Sequence, residues 1–346
     1  MALSDESDIH AQVLCRMTTS CHLTLMARLP HAPFPYDGLV GDTDQPFFDR
    51  TDPDNGQRLH TVNDTIFYPE FPYYQDNRVL VHLPPAFKPD APFAILVFFH
   101  GHLTELDRTL VREMALLQQV NATDHNLVLV APQMVRDAID SSPGKLYRPQ
   151  GLANLLGDVS RVLAEEMDEE FAGQFARAPV ILAAFSGGYR ALAYTLERGF
   201  ADTLERDARL RGVILLDALY SDADKFIAWL RHPERRGFLV NLYGPSSAPL
   251  SEKLSQNLQE YGLSWSNSLS PPLSPDRAES PGPSHAPDWS DSSDSFHVPN
   301  WSDPPEVTID PTGIYSLMVE TPHESIFLEG PPPWPLVKIL KMVKFL

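Results

Sequence analysis

The sequence has little cysteine, few basic residues for its acidic content and no long apolar run, and each shortage excludes something. Cys15 and Cys21 are the only cysteines among 346 residues. Two thiols cannot build a disulfide framework or a cysteine-based metal site. Lys and Arg number 27 against 46 Asp and Glu, a formal net charge of -19. Such a surface repels phosphate backbones and anionic lipid, so nucleic acid is not an expected partner, whereas a small neutral or cationic molecule is easily accommodated. No apolar run approaches the roughly 20 residues of a membrane span. The acidic start, Met1 to Asp8, and the polar interruptions within Leu23 to Leu29 make a poor leader. A soluble, cytoplasmic protein is the expectation. There is no Gly-rich phosphate loop after the first strand and no Gly-Lys-Ser/Thr, so no cofactor is expected.

What is present is alternation. Residues 1–58 are rich in Pro, Asp and Gly without a sustained period and read as an irregular arm. From about residue 59 to 261 buried strands alternate with amphipathic helices. Phe93 to Phe99 (FAILVFF), Leu127 to Val130, Val180 to Phe185 and Gly212 to Leu216 are continuous apolar runs, as strands covered on both faces are, and Asn77 to Leu83 and Gly237 to Leu242 are further strands of mostly β-branched and apolar residues. Between them Leu106, Leu110, Met114, Leu117 and Val120, and then Leu152, Leu155, Leu156, Val159 and Leu163, recur at helical spacing. The pattern predicts an α/β fold with a doubly wound, mostly parallel sheet. Only one helix fits between the strands ending at Leu216 and beginning at Gly237, so no large cap domain is expected. Residues 262–305 collapse into Ser, Pro and Asp and read as a disordered insertion. The core resumes over 306–346 with a last strand, Gly313 to Val319, then His323, then an apolar tail (WPLVKILKMVKFL) expected to pack on the sheet.

In doubly wound sheets ligands sit beyond the carboxyl ends of the strands, so the residues found there carry the chemistry. Val180 to Phe185 ends in Ser186-Gly187-Gly188, and a helix follows at once. A serine on so tight a strand-to-helix turn needs small neighbours two positions to either side, and Ala184 and Gly188 supply them. The turn sets the Gly187 N–H at a helix start, where it can face an oxyanion. His100-Gly101-His102 closes an earlier strand. The glycine lets backbone approach a substrate and leaves the His102 N–H as a second oxyanion donor. A metal pair at His100 and His102 is the rival, but no further ligands follow at zinc spacing. His323 is the only histidine after the last strand, and an imidazole can take a serine proton and return it near neutral pH. His323-Glu324 begins a zinc-protease helix motif that fails because position 327 is Phe. For the acid that orients the imidazole, Asp217 ends a strand, while Asp222 and Asp224 stand at a helix start. The turn-rich run Asp140 to Tyr147 lies at the same sheet edge, either as pocket lining or as ordinary surface loop.

The segments FFHGH, VAPQ, AAFSGGYRALA and GVILLDALYSDADKF resemble uncharacterised bacterial hydrolases of the α/β-hydrolase superfamily, over 77–242 and 314–328. Here A-x-S-x-G stands where that superfamily usually has G-x-S-x-G. The resemblance implies a triad of Ser186, Asp217 and His323, in that superfamily's chain order, with acyl transfer to water as the activity. An ester is the expected substrate and an amide or peptide bond the alternative. A binding protein that keeps the fold without catalysis is a third reading. The insertion generates a direct test: limited proteolysis is expected to cut within 262–305 before it cuts elsewhere. Resistance there equal to that of the core would overturn the division.

Overall fold

The computed structural model describes residues 10–16, 23–123, 125–267, 309–328 and 334–343. Nine strands form the main sheet: β1 (His10–Arg16), β2 (Leu23–Arg28), β6 (Arg78–Leu83), β7 (Ala94–Phe99), β8 (Leu127–Pro132), β9 (Val180–Phe185), β10 (Leu210–Leu216), β11 (Phe238–Tyr243) and β12 (Ile314–Met318). Their spatial order is β1-β2-β6-β8-β7-β9-β10-β11-β12. The six from β8 to β12 run parallel, while β6, β2 and β1 are joined antiparallel. A separate three-stranded antiparallel sheet, β3 (Arg50–Thr51), β4 (Arg58–Val62) and β5 (Ile66–Pro69), runs into the four-residue turn α1 (Glu70–Tyr73).

The central parallel strands β7, β8 and β9 are unbroken apolar runs because each face of the sheet is covered. In β7, Ile95, Val97 and Phe99 point into one core and Ala94, Leu96 and Phe98 into the other, which is the period-two alternation of a strand. The first core is closed by α3 (Gly151–Glu166), α4 (Glu169–Arg177), α5 (Tyr189–Arg198), α7 (Ala223–Leu230) and α8 (Ala248–Glu260). The second is closed by the helical turns of Leu106–Glu113, by α2 (Leu116–Asn121) and by α9 (Pro335–Met342), so the apolar tail does pack on the sheet. One helix expected from Leu106 to Val120 is two. The first has wide turns, with Leu110 N–H bonded to Glu105 O, and Ala115 then takes a left-handed φ of 53°. The short α6 (Thr203–Arg209) leads into β10, and between β10 and β11 lies α7 alone, without a cap domain.

Two boundaries are corrected. The irregular arm expected over 1–58 contains β1 and β2, which extend the main sheet, and β3. Leu23, Leu25, Met26 and Ala27 are all buried; both faces of β2 are covered, so its residues show no alternation to separate them from a leader-like run. The segment expected to be disordered from Gly262 is ordered over its first residues, 262–267. Leu263 and Trp265 pack on the first core, and Ser266 bonds the outer side of β12, its N–H to Ile314 O at 2.9 Å and its O to Ser316 N–H at 2.9 Å. The rest of the expected insertion, 268–305, lies outside the described residues.

The stretch after β2 is tied to α3 by a carboxylate with no solvent exposure. Asp158 accepts from the His31 backbone N–H (2.8 Å) and Nδ1 (2.9 Å), and pairs with Arg161. Removing it strands a main-chain donor beside α3, which costs about 1–3 kcal/mol. Asp158→Ala is therefore expected to lower the urea midpoint by that amount of stability without changing the slope. An unchanged midpoint would show that this tie holds nothing.

Candidate active site

The strand order places a switch point at β7: β8 pairs on one side and β9 on the other, so connections leave in opposite directions and open a crevice at the carboxyl edge. Every candidate residue follows a parallel strand at that edge. His102 follows β7, Ser186 follows β9, Asp217 follows β10 and His323 follows β12.

Ser186 is buried and has φ +50°, in the left-handed region. Holding an L-residue there costs roughly 1–2 kcal/mol, so the surroundings must enforce it. They do so by crowding. A Cβ on Gly188 would lie 2.3 Å from Phe99 O, and one on Gly101 would lie 2.7 Å from Ser186 Cβ. The chain at Ser186 thus sits directly against the end of β7, and the turn Ser186–Gly188 leads straight into α5.

His323 Nε2 accepts from Ser186 Oγ at 2.7 Å, and its Nδ1–H donates to Asp217 Oδ2 at 2.5 Å. The imidazole is stacked on Phe185, the residue before the serine, with centroids 5.3 Å apart and planes 12° from parallel. Asp217 has no solvent exposure and φ +44°. It also accepts from Gly244 N–H (3.0 Å), Ser246 Oγ (2.6 Å) and Ser247 Oγ, with the Tyr220 hydroxyl 3.3 Å from Oδ2. Burial by itself would raise its pKa, but the bonds from His323, Ser246, Ser247 and Gly244 outweigh it and hold the carboxyl well below the usual range. An ionised acceptor at Nδ1 fixes the tautomer whose Nε2 lone pair meets the serine hydroxyl. The rival acids are engaged elsewhere. Asp222 lies 3.2 Å from Arg190 Nε and accepts from Ser221 Oγ, and Asp224, largely exposed, faces Lys225.

His100 and His102 have separate roles. His100 is fully buried, and burial pushes its pKa down to about 4. Its neutral ring donates from Nδ1 to Gly101 O (2.8 Å) and accepts at Nε2 from Met134 N–H (2.9 Å) and Gln133 Nε2 (2.8 Å). It clamps the loop after β7 to the end of β8. His102 lays its ring over Gly187 and bonds Ser141 Oγ through Nε2 at 2.8 Å. Burial lowers its pKa as well. Its backbone N–H meets no acceptor among the described residues. Gly187 is in the first helical turn, where N–H groups lack an intrahelical partner. Among the described residues no group of three or more His, Cys, Asp or Glu is arranged to hold a metal, and no helix is long and apolar enough to cross a membrane.

Sequence reasoning gave no role to Ser246, Ser247, Tyr220, Gln133 or Phe185, and reached Ser141 only as part of the run Asp140 to Tyr147. Hydroxyls in a Pro-Ser-Ser turn carry no pattern of their own, and only their place after β11 marks them. The run Asp140 to Tyr147 is mostly buried rather than surface loop. Asp140 accepts from Tyr74 OH (2.9 Å) and Ser142 Oγ (2.7 Å), and Ser142 lies 3.3 Å from His60 Nε2. This second Ser, His and Asp grouping differs from the first: the serine faces the carboxylate, while His60 Nδ1 donates to Phe47 O.

No protein-family model and no curated protein matches the sequence. Among solved structures, the chain is similar to a dienelactone hydrolase from Anabaena variabilis (15% identity, 53% of this chain and 74% of that one, TM-score 0.31). It is also similar to the feruloyl esterase module of Clostridium thermocellum (13%, 64% and 81%, TM-score 0.32) and to an S-formylglutathione hydrolase from Agrobacterium tumefaciens (11%, 71% and 85%, TM-score 0.33). Similarities this low carry no weight for the chemistry, and the architecture rests on this chain's own strand order. A mostly parallel sheet with an antiparallel flank, helices on both faces and a sharp serine turn between β9 and α5 is the α/β-hydrolase fold.

Proposed function

We propose that this protein is a serine hydrolase that cleaves a carboxylic ester by acyl transfer. The observation that carries the reading is the unbroken chain of hydrogen bonds from Ser186 Oγ through both nitrogens of His323 to the buried Asp217. In this mechanism Ser186 Oγ attacks the ester carbonyl carbon while His323 Nε2 takes its proton. Asp217 keeps the imidazole oriented and stabilises the imidazolium. The carbonyl oxygen becomes an oxyanion, held by the N–H groups of Gly187 and His102. As the C–O bond breaks, His323 returns the proton to the departing alkoxide. Water then attacks the acyl-enzyme with His323 as base, releasing the acid and restoring Ser186. An ester is favoured over an amide because an alcohol leaves without further activation.

Two experiments test this. A fluorophosphonate probe is expected to label the protein once, at Ser186, because this serine is bonded to an imidazole that is bonded in turn to a buried carboxylate. Peptide mapping reads the site, and labelling elsewhere, or none in folded protein, would sink the reading. The second compares acids on one activated acetate ester. Asp217→Asn is expected to lower kcat by about 10⁴ with the fold retained by circular dichroism, since the imidazole then loses its tautomer control. Asp222→Asn and Asp224→Asn touch a partly exposed ion pair and a solvated one, and are expected to stay within a few-fold of the parent. Near-parent turnover in Asp217→Asn would remove it from the triad.

A further inference from the structure

We propose that Leu103 and Ile139 form the acyl-chain contact of this hydrolase and select esters with an apolar acyl group longer than acetyl. The proposal rests on the serine-hydrolase reading and extends it from mechanism to substrate class. Leu103 is 52% exposed and Ile139 is 44% exposed, in a protein whose other large apolar side chains are mostly in its cores. Single exposed apolar residues need no explanation, but two on hydrogen-bonded loops that flank the candidate site do. Their two loops are joined by the bond from Leu103 N–H to the carbonyl of Ala138, the residue before Ile139 (3.0 Å), and Ile139 N–H is fixed in turn by Tyr68 OH (3.1 Å).

Each belongs to a loop that shapes the candidate oxyanion hole. Leu103 directly follows His102, and Ile139 lies two residues before Ser141, which bonds the His102 ring. Leu103 has φ +54°, a conformation that a branched aliphatic side chain adopts only when its surroundings impose it. Such local strain gathers at functional sites. Here it holds an aliphatic side chain in solvent beside the oxyanion donors rather than turning it into the core.

The stereochemistry of the reaction assigns the occupant. The leaving alcohol has to lie within reach of His323 Nε2, which reprotonates it, so it belongs to the side of the site built by β12 and the Phe185 ring. The carbonyl oxygen points to the Gly187 and His102 N–H groups. The remaining substituent on the tetrahedral carbon is the acyl chain. It extends along the loops that follow β7 and β8, where Leu103 and Ile139 stand. An apolar chain there removes both side chains from water, whereas a charged or strongly polar acyl group gains nothing from them.

A p-nitrophenyl ester series from acetate to octanoate tests the assignment, read as the ratio of kcat/KM for octanoate to that for acetate. The parent is expected to favour octanoate, and Leu103→Ala and Ile139→Ala are each expected to lower the ratio by about 3- to 10-fold, the lower end of what apolar contacts discriminate. Leu204→Ala, an exposed leucine on α6 beside the amino end of β10, is expected to keep it. A parent ratio at or below one, or a ratio unchanged in both site variants, overturns the proposal while fluorophosphonate labelling of Ser186 still stands. Failure of that labelling removes the serine-hydrolase reading and this proposal with it.

Discussion

The constraint on which the candidate site depends is steric: the backbone at Ser186 must pass against the end of β7 with almost no space between them. At Gly101 and Gly188 a single methyl group would collide, with Ser186 Cβ and with Phe99 O. Because the gap is filled on both sides, the serine has no room to relax out of its left-handed conformation. A hydroxyl so held stands clear of its own strand and meets the histidine at 2.7 Å. The rest of the arrangement follows. Phe185, pleated to the opposite side of the same strand end from Ala184, offers a flat surface on which the imidazole lies. The β7 loop, pressed against the serine turn, is fastened from behind by His100 and Gln133.

Electrostatics complete what sterics begin. An aspartate without solvent exposure in an acidic protein would take up a proton unless something local opposed it. The donors gathered on Asp217 come from the loops after β10, β11 and β12, so the sheet itself brings them together. The carboxylate is thereby a fixed charge, and the histidine next to it has one available tautomer. His100 meets the same problem from the opposite side. Burial keeps its ring neutral, and its neighbours supply one acceptor and two donors, which a neutral imidazole can satisfy.

What the sequence made legible follows from where the hydrophobic pattern is simplest. The central parallel strands, covered on both faces, are apolar runs with few or no interruptions, and the residues that follow them, Ser186, Asp217 and His102, could be named as candidates from position. The structure brings Ser186, Asp217 and His323 into hydrogen-bonding sequence and sets the His102 ring over Gly187. The edge strands were not legible. In β2, Leu23 to Ala27 look like any short apolar stretch, and a composition dominated by Pro, Asp and Gly around them hides the pairing with β6. Composition also misplaced the end of the core at Gly262, because Trp265 and Leu263 are single apolar residues in a polar run and only their packing reveals them. Ser246 and Ser247 illustrate a deeper limit. A serine that serves a buried carboxylate and one that merely turns a chain are the same letter until the strands are laid side by side.

The Ser266 pairing along β12 has a bearing on how molecules of this protein meet each other. A strand at the border of a sheet carries a row of unfilled N–H and C=O groups that can recruit a foreign strand. Among the described strands β12 is such a border, and it precedes His323 by only a few residues. By occupying Ile314 O and Ser316 N–H, Ser266 fills part of that row. The chain's own backbone thus takes up groups at the border next to the site that a second molecule's strand would need for edge-to-edge pairing.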